Sequence, residues 1–132
     1  NNIAMLRKEM VENRAEDPLR ILQKAAKSAG VMLCIRGQLP QKPEYRRFFL
    51  MAASEALTNA VFHAGARTLT VELIETEENW TMCFTNDGSR PEKLVTEGGG
   101  LGSLRRKAES IGAAMQVLSE PEFALIITGR KG

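Results

Sequence analysis

The stretch EALTNAVFHAGA, residues 55–66, contains Glu55, Asn59 and His63 at intervals of four residues. An α-helix turns once in about 3.6 residues, so these three side chains lie in one stripe on its surface. The rest of the stretch is small or apolar. A row formed by a carboxylate, an amide and an imidazole is either a solvated helix face or one wall of a binding site.

The apolar period of this stretch extends towards the N-terminus and predicts one long helix over residues 45–64. The core side of that helix carries six small or apolar residues: Phe49, Ala53, Leu57, Ala60, Val61 and Ala64. The polar row lies off this side. The long helix therefore determines where the core and the candidate site meet.

A second distinctive stretch, NDGSRPEKLVTEGGGLGSLRRK, occupies residues 86–107. A strand is predicted to end at Asn86, a turn and a long loop follow, and a glycine cluster opens a helix. Glycines at a helix N-terminus let backbone amides approach an anion, and the helix dipole favours phosphate. Arg105, Arg106 and Lys107 add positive charge there. The cluster matches neither G-x-G-x-x-G nor a P-loop, so by itself it also suits a glycine hinge with a basic, solvated face.

The remaining chain supplies the other elements of an α/β domain. Asp17-Pro18 marks an N-cap and a first helical position, and Gly30 marks the end of that helix. Strands are predicted over residues 31–37, 68–76, 80–86, 114–119 and 123–129, and a further helix over residues 101–112. We therefore predict a two-layer α/β sandwich with a mixed, mostly antiparallel sheet and helices on one face.

Length and composition limit the classes of protein to which the chain can belong. The 132 residues fit one compact domain, with 43% hydrophobic and 26% charged residues. A net charge of +2 is too balanced to favour nucleic acid or a membrane surface as a partner. Cys34 and Cys83 are predicted to be buried free thiols in a reducing compartment. Two cysteines and one histidine are too few for a cysteine–histidine zinc site.

The order and spacing of three motifs resemble those of the GHKL ATPases, the superfamily of sensor histidine kinases, Hsp90-type chaperones, type II topoisomerases and MutL. EALTNAVFHA (55–64) is similar to the N-box of that superfamily, NDG (86–88) to its first glycine box, and GGGLGSLRRKAESIGA (98–113) to its second. The likeness covers residues 19–128 and is closest to sensor histidine kinases, whose N-box has the form E-x-x-T-N-x-x-x-H-A. It implies a Bergerat-type ATP-binding fold.

The resemblance implies a role for each residue of the polar stripe. Asn59 would hold Mg²⁺, because an amide oxygen is a hard, neutral ligand. Glu55 would orient or activate the attacking group, as a general base does. His63 would lie near the phosphates of ATP.

The two glycine boxes would bind the nucleotide itself. Asn86 occupies the position that contacts adenine, and Gly88 would let the backbone approach the base. Residues 89–100 would form a lid over ATP. The residues expected to cradle its phosphates or line the site beside them are Gly98, Gly100, Leu101, Gly102 and Ser103.

The first glycine box departs from the family pattern D-x-G-x-G at two positions. Asn86 replaces the aspartate that accepts a hydrogen bond from the adenine amino group, so a bond to its carbonyl oxygen would be neutral. Asp87 is adjacent but is expected to point to the other face of the strand end. Arg90 replaces the second glycine, and the approach to the last strand lacks the Gly-Thr often found there. We therefore expect weaker ATP binding than is usual in the family.

The resemblance implies the ATP-binding catalytic domain of a bacterial sensor histidine kinase, over residues 17–132. Residues 1–16 would be a linker or a helix remnant from a preceding dimerisation domain. That separate domain would carry the histidine that accepts the γ-phosphoryl group, and a response regulator would follow it in two-component signalling. His63 is the only histidine, so the chain alone is expected to bind ATP and Mg²⁺ but not to autophosphorylate. Such a domain is cytoplasmic, with no membrane contact of its own, although a membrane segment can anchor its parent protein.

Three alternatives stay open at this point. The chain could be an anti-sigma-factor-like serine kinase, which uses a similar N-box and needs no dimerisation helices. It could be a degenerate nucleotide-binding or docking module, which Asn86 and Arg90 favour. It could also be a plain α/β domain in which the stripe and the glycines coincide by chance, an alternative that the ordered motifs disfavour.

Overall fold

The computed structural model describes residues 17–63, 65–88, 100–118 and 123–131. These residues form three α-helices, one π-helical turn and five strands. In chain order the elements are α1 (Pro18–Ser28), β1 (Met32–Gly37), α2 (Pro43–Thr58), the π-turn (Asn59–His63), β2 (Thr68–Glu75), β3 (Asn79–Asn86), α3 (Gly100–Ser110), β4 (Ala113–Leu118) and β5 (Ala124–Arg130). None of the described helices combines the length and the apolar character needed to cross a membrane.

The strands form one mixed sheet in the order β1-β2-β3-β5-β4. The parallel strands β1 and β2 are connected through α2, because parallel neighbours need a long crossover. The other three pairs are antiparallel. The predicted α/β sandwich with a mostly antiparallel sheet is confirmed.

Alternation along the strands places the core on one side of the sheet. In β3 the even-numbered residues from Trp80 to Asn86 are buried, and the residues between them are half-buried. Their cross-strand neighbours are buried as well, since Phe84 pairs with Val71 on one side and Leu125 on the other. The helices pack on this face, and α2 lies at the centre with buried residues around most of its circumference.

Local signals account for the helix ends. Asp17 Oδ1 accepts a hydrogen bond from the Leu19 N–H at 3.0 Å, which caps α1, and Pro18 takes the first helical position. Gly30 follows the last turn with a φ of 76°, a conformation that favours glycine. Helix α2 begins at Pro43, two residues earlier than the apolar pattern predicts, because proline is well suited to that position.

The predicted burial of the two cysteines is wrong, although both are free thiols in the structure. Cys34 is exposed and Cys83 is half-buried. Both side chains lie on the sheet face that no described helix covers, and β1 is an edge strand. Partial burial, and then the nearby Glu72 carboxylate, raise the pKa of the Cys83 thiol.

Candidate functional site

The long helix predicted over residues 45–64 changes its hydrogen bonding at the candidate site. It is α-helical to Thr58 and continues as the π-turn, where the Asn59 N–H is shared by the carbonyls of Glu55 and Ala56. Single π-turns are uncommon and occur often at functional sites. An apolar period does not reveal such a change, and its effect is visible at Val61, which is half-buried rather than fully in the core.

The Asn59 side chain is buried at this turn without a complete set of partners. Asn59 is only 7% exposed, and no hydrogen bond reaches its Oδ1 atom. Buried amide oxygens are normally paired, because an unpaired one has lost its bonds to water. Asn59 Oδ1 is therefore available to a partner that the described part of the chain does not supply.

Hydrogen bonds tie the end of the π-turn to the ends of two strands. The Ala66 N–H donates to the Ala60 carbonyl at 2.8 Å. Asp87 Oδ1 then accepts from the N–H groups of Arg67 and Thr68, at 2.9 and 2.8 Å. These bonds bring the end of α2, the start of β2 and the end of β3 to the same end of the sheet.

Asp87 has a structural part in this network. Its carboxylate is exposed and lies off the core face, as the strand alternation predicts. The hydrogen bond from the Thr68 amide, more than any other influence, holds the pKa of Asp87 below its usual value. Sequence analysis missed this role, for which the only signal is an aspartate directly after a strand.

Asn86 lies on the core face of the sheet, at the last position of β3. It is 5% exposed, and its Oδ1 accepts a hydrogen bond from the Gly88 N–H at 2.9 Å. Its Nδ2 is buried and has no partner within residues 17–63, 65–88, 100–118 and 123–131. The side chain expected to contact a base therefore has an engaged acceptor and an unpaired donor.

The N-terminus of α3 lies directly against Glu55. A Cβ atom added at Gly100 would overlap both carboxylate oxygens of Glu55, so a larger residue there would require the Glu55 side chain or the start of α3 to move. In the next turn Leu101 and Gly102 are half-buried and Ser103 is exposed. Glu55 of α2 and Gly100 at the start of α3, 45 residues apart in sequence, thus lie directly against each other.

Two basic residues of α3 have structural contacts that the sequence did not reveal. Arg105 donates from its guanidinium to the Met115 carbonyl at 2.8 Å, which holds α3 to β4. Arg106 donates to Ser103 Oγ at 3.1 Å, within the first turns of the helix. The positive charge predicted for this helix is present, and Arg105 also holds the helix against β4.

Most of the predicted site residues are brought to one end of the molecule. Glu55 lies in the last turn of α2 and Asn59 begins the π-turn. Asn86 ends β3, Gly88 follows it two residues later, and Gly100 opens α3. Gly98 and Arg90, most of the predicted lid and residues 1–16 lie outside the described residues, as does the side chain of His63. The binding roles of all these residues remain predictions.

The side-chain atoms at this site suit a magnesium ion better than a metal that needs several protein ligands. In the part of the chain that the structure describes, no group of three or more His, Cys, Asp or Glu side chains is arranged to hold a metal. Mg²⁺ needs no such group, because it keeps several waters and is bound with a few protein oxygens and substrate phosphates. The unpaired Oδ1 of Asn59 is one such hard oxygen.

Comparison with known proteins finds similarity in structure but not in sequence. No family model matches the sequence, and no curated protein matches it significantly. Three of the similar solved structures are histidine kinases. The kinase domain of the blue-light activated histidine kinase from Erythrobacter litoralis EL346 has a TM-score of 0.65 and 19% identity, over 85% of this chain. This chain spans 60% of the length of that structure.

Two other matched structures are covered by this chain over a larger share of their own length. Histidine kinase AdeS from Acinetobacter baumannii has a TM-score of 0.65 and 13% identity, with 98% of this chain and 73% of that one covered. The catalytic domain of histidine kinase ThkA has a TM-score of 0.63 and 13% identity, with 92% and 93% covered. The chain therefore has the fold of histidine kinase catalytic domains, which confirms at the level of fold the resemblance carried by the three motifs.

Proposed function

We propose that residues 17–132 are the ATP-binding catalytic domain of a histidine kinase. The domain would transfer the γ-phosphoryl group of Mg·ATP to a histidine on a separate dimerisation domain, which in two-component signalling passes it to a response regulator. The observation that carries the proposal is the contact between Gly100 and the Glu55 carboxylate, one turn of α2 from the unpaired oxygen of Asn59.

Asn59 would be the protein ligand of Mg²⁺. Its Oδ1 is buried and unpaired, so a cation gains the interaction without displacing a bond within the protein. Bound Mg²⁺ would neutralise charge on the phosphates. The amide adds no negative charge of its own, which suits a site that must also accept the phosphates.

The first turn of α3 would bind phosphate oxygens. The N–H groups at a helix start have no partners within the helix, and the dipole adds partial positive charge. Gly100 and Gly102 carry no side chain that would keep a phosphate away from these amides. Arg105 would keep this turn in place through its bond to β4.

Glu55 would act on the attacking imidazole of the acceptor histidine. A carboxylate within reach of that ring orients it and takes its proton as the bond to phosphorus forms. Its position against the start of α3 would place it beside the phosphates. Phosphoryl transfer depends mainly on such positioning and on charge neutralisation, so few residues are needed.

Calorimetric titration tests the proposal with the chain as it is. We expect Mg·ATP to bind, and Asn59→Ala to weaken binding by about tenfold or more, because a ligand worth about 1.4 kcal/mol is lost. Ser54→Ala is the matched control. Ser54 Oγ is also buried and unpaired on α2, so its removal deletes a comparable polar atom and should leave the affinity unchanged.

Two results would contradict the proposal in different ways. If folded wild-type chain binds no ATP at millimolar concentration, the nucleotide site is absent and the docking-module alternative gains support. If ATP binds equally well with Mg²⁺ and with a chelator, Asn59 is not a metal ligand. The role of Glu55 is tested separately, by adding a phosphoacceptor dimerisation domain and comparing phosphorylation of its histidine by wild type and Glu55→Gln. We expect Glu55→Gln to bind Mg·ATP normally but to transfer the phosphoryl group more slowly, and an equal rate would contradict the role.

A further inference from the structure

The orientation of the Asn86 side-chain amide follows from its neighbour Gly88. The Gly88 N–H needs an acceptor, and Asn86 Oδ1 lies 2.9 Å from it. A turn of this kind, from an Asn side chain to a backbone N–H two residues on, is a common local arrangement. Rotating the amide by 180° would set two donors against each other. Asn86 Nδ2 is therefore the group left over.

The Nδ2 group of Asn86 is an unpaired hydrogen-bond donor. It is buried and has no hydrogen-bond partner among the residues that the structure describes, and Asn86 is only 5% exposed. Nδ2 can only donate, whereas a carboxylate at this position could only accept. The strand end thus presents a free donor, which a carboxylate at this position would not.

Purine bases differ at the edge that such a group would contact. Adenine has an amino donor at C6, whereas guanine and hypoxanthine have a carbonyl acceptor there. We propose that Asn86 makes the site accept 6-oxopurine nucleoside triphosphates, such as ITP and GTP, at least as well as ATP. This inference rests on the proposed nucleotide site and concerns only which base enters it.

ATP remains a ligand in this proposal. Asn86 Oδ1 uses one lone pair for Gly88, and its second lone pair can still accept from an adenine amino group. That bond is neutral on both sides, and Nδ2 would then have to donate to a ring nitrogen of adenine rather than to a group at C6. A carbonyl at C6 satisfies Nδ2 directly, which removes the unpaired donor.

The experiment compares ATP with ITP by calorimetric titration, in the presence of Mg²⁺. ITP is the sharper probe because it differs from ATP at the base edge in question and lacks the 2-amino group of guanine. In the wild-type chain we expect ITP to bind at least as tightly as ATP. In Asn86→Asp we expect ATP to bind about tenfold more tightly than ITP, because a carboxylate repels a carbonyl oxygen and accepts from the amino group.

Two further variants separate base recognition from folding and from phosphate binding. Asn86→Ala removes the donor and should weaken ITP more than ATP, so the test does not depend on Asn86→Asp alone. Asn59→Ala should weaken both nucleotides equally, because that residue would act at the metal and not at the base. Thermal melting of each chain without nucleotide verifies that it is folded.

The possible outcomes distinguish this inference from the proposed function. A wild-type chain that prefers ATP to ITP by about tenfold overturns the inference and leaves the ATP-binding proposal standing. An ITP-to-ATP ratio that is the same in wild type, Asn86→Asp and Asn86→Ala also overturns it. If neither triphosphate binds to the folded chain, both proposals fall.

Discussion

The two ends of helix α2 show how differently one element can be used. At its N-terminal end the Tyr45 and Trp80 rings pack with centroids 4.9 Å apart, and the Tyr45 hydroxyl donates to the Arg130 carbonyl at 3.2 Å. Gly129 leaves room for the indole ring, because a Cβ there would overlap it. We call this the closed end, formed by Tyr45, Trp80 and Gly129. The open end, formed by Glu55, Asn59, Asn86 and Gly100, contains two amides with unpaired buried atoms.

The closed end also contains an unpaired polar atom, but there the surrounding packing compensates for its cost to stability. Trp80 Nε1 has no partner, but it belongs to a large ring that is 1% exposed. The apolar area that this ring buries outweighs one unpaired donor. Asn59 and Asn86 bury little apolar area, so their unpaired atoms are a net cost to folding. A feature that costs stability and is kept at one end of a domain is typical of a functional site.

The largest expected effect is on stability at the closed end. Trp80→Ala should lower the free energy of unfolding by about 3–5 kcal/mol, because it removes a fully buried ring and leaves a cavity. Chemical denaturation measures this change, and Ile74→Ala, an exposed apolar residue of β2, is the control with little effect. Mg·ATP affinity of the folded fraction should not change. A variant that folds as well as wild type but no longer binds nucleotide would break the comparison.

The second prediction is that replacing Asn59 raises the stability of the domain but lowers its affinity for nucleotide. Asn59→Leu replaces the unpaired amide by an apolar group of similar size, so stability should rise by about 1–3 kcal/mol. Mg·ATP affinity should fall steeply in the same variant. Tyr45→Phe is the counterpart at the closed end, where loss of one hydrogen bond should lower stability by about 0.5–1.5 kcal/mol and leave affinity unchanged. If Asn59→Leu were destabilised to the same degree as Tyr45→Phe, the two ends would not differ as described.

The third effect concerns the contact that joins the two halves of the open end. Gly100→Ala places a methyl group where the Glu55 carboxylate lies, so that carboxylate or the start of α3 must move. We expect Mg·ATP affinity to fall by about tenfold, since either movement disturbs the geometry between Glu55 and the phosphate-binding amides. Glu109→Ala, an exposed position on the same helix, is the control. An unchanged affinity would mean that this contact does not position the site.

Sequence patterns predicted those features that depend on periodicity and on local signals. The order of the elements and the glycine at the start of α3 belong to this group, as does the cap at Asp17. The π-turn, the exposure of Cys34 and the contact of Arg105 with β4 do not, because each depends on which elements meet in space. The hydrogen bonding of the Asn86 amide was not predictable either. The sequence suggested that this side chain accepts a hydrogen bond from a base, but in the structure its Oδ1 is bonded to Gly88, and its Nδ2 is the unpaired group.

The smallest expected effect is a change of stability with pH, caused by Asp87 at the strand ends of the open end. The pKa of Asp87 is lowered in the folded chain, chiefly by the Thr68 amide, so its carboxylate stabilises the fold while it is ionised. This contribution is present at pH values above the pKa of an unfolded aspartate. It is lost as the pH falls through the lower pKa of the folded state. Wild type should therefore be more stable than Asp87→Asn at neutral pH, and the difference should shrink in acid. Urea denaturation at a series of pH values measures both chains, and a difference that stays constant through the acid range would show that the charge of Asp87 does not hold β2 to β3.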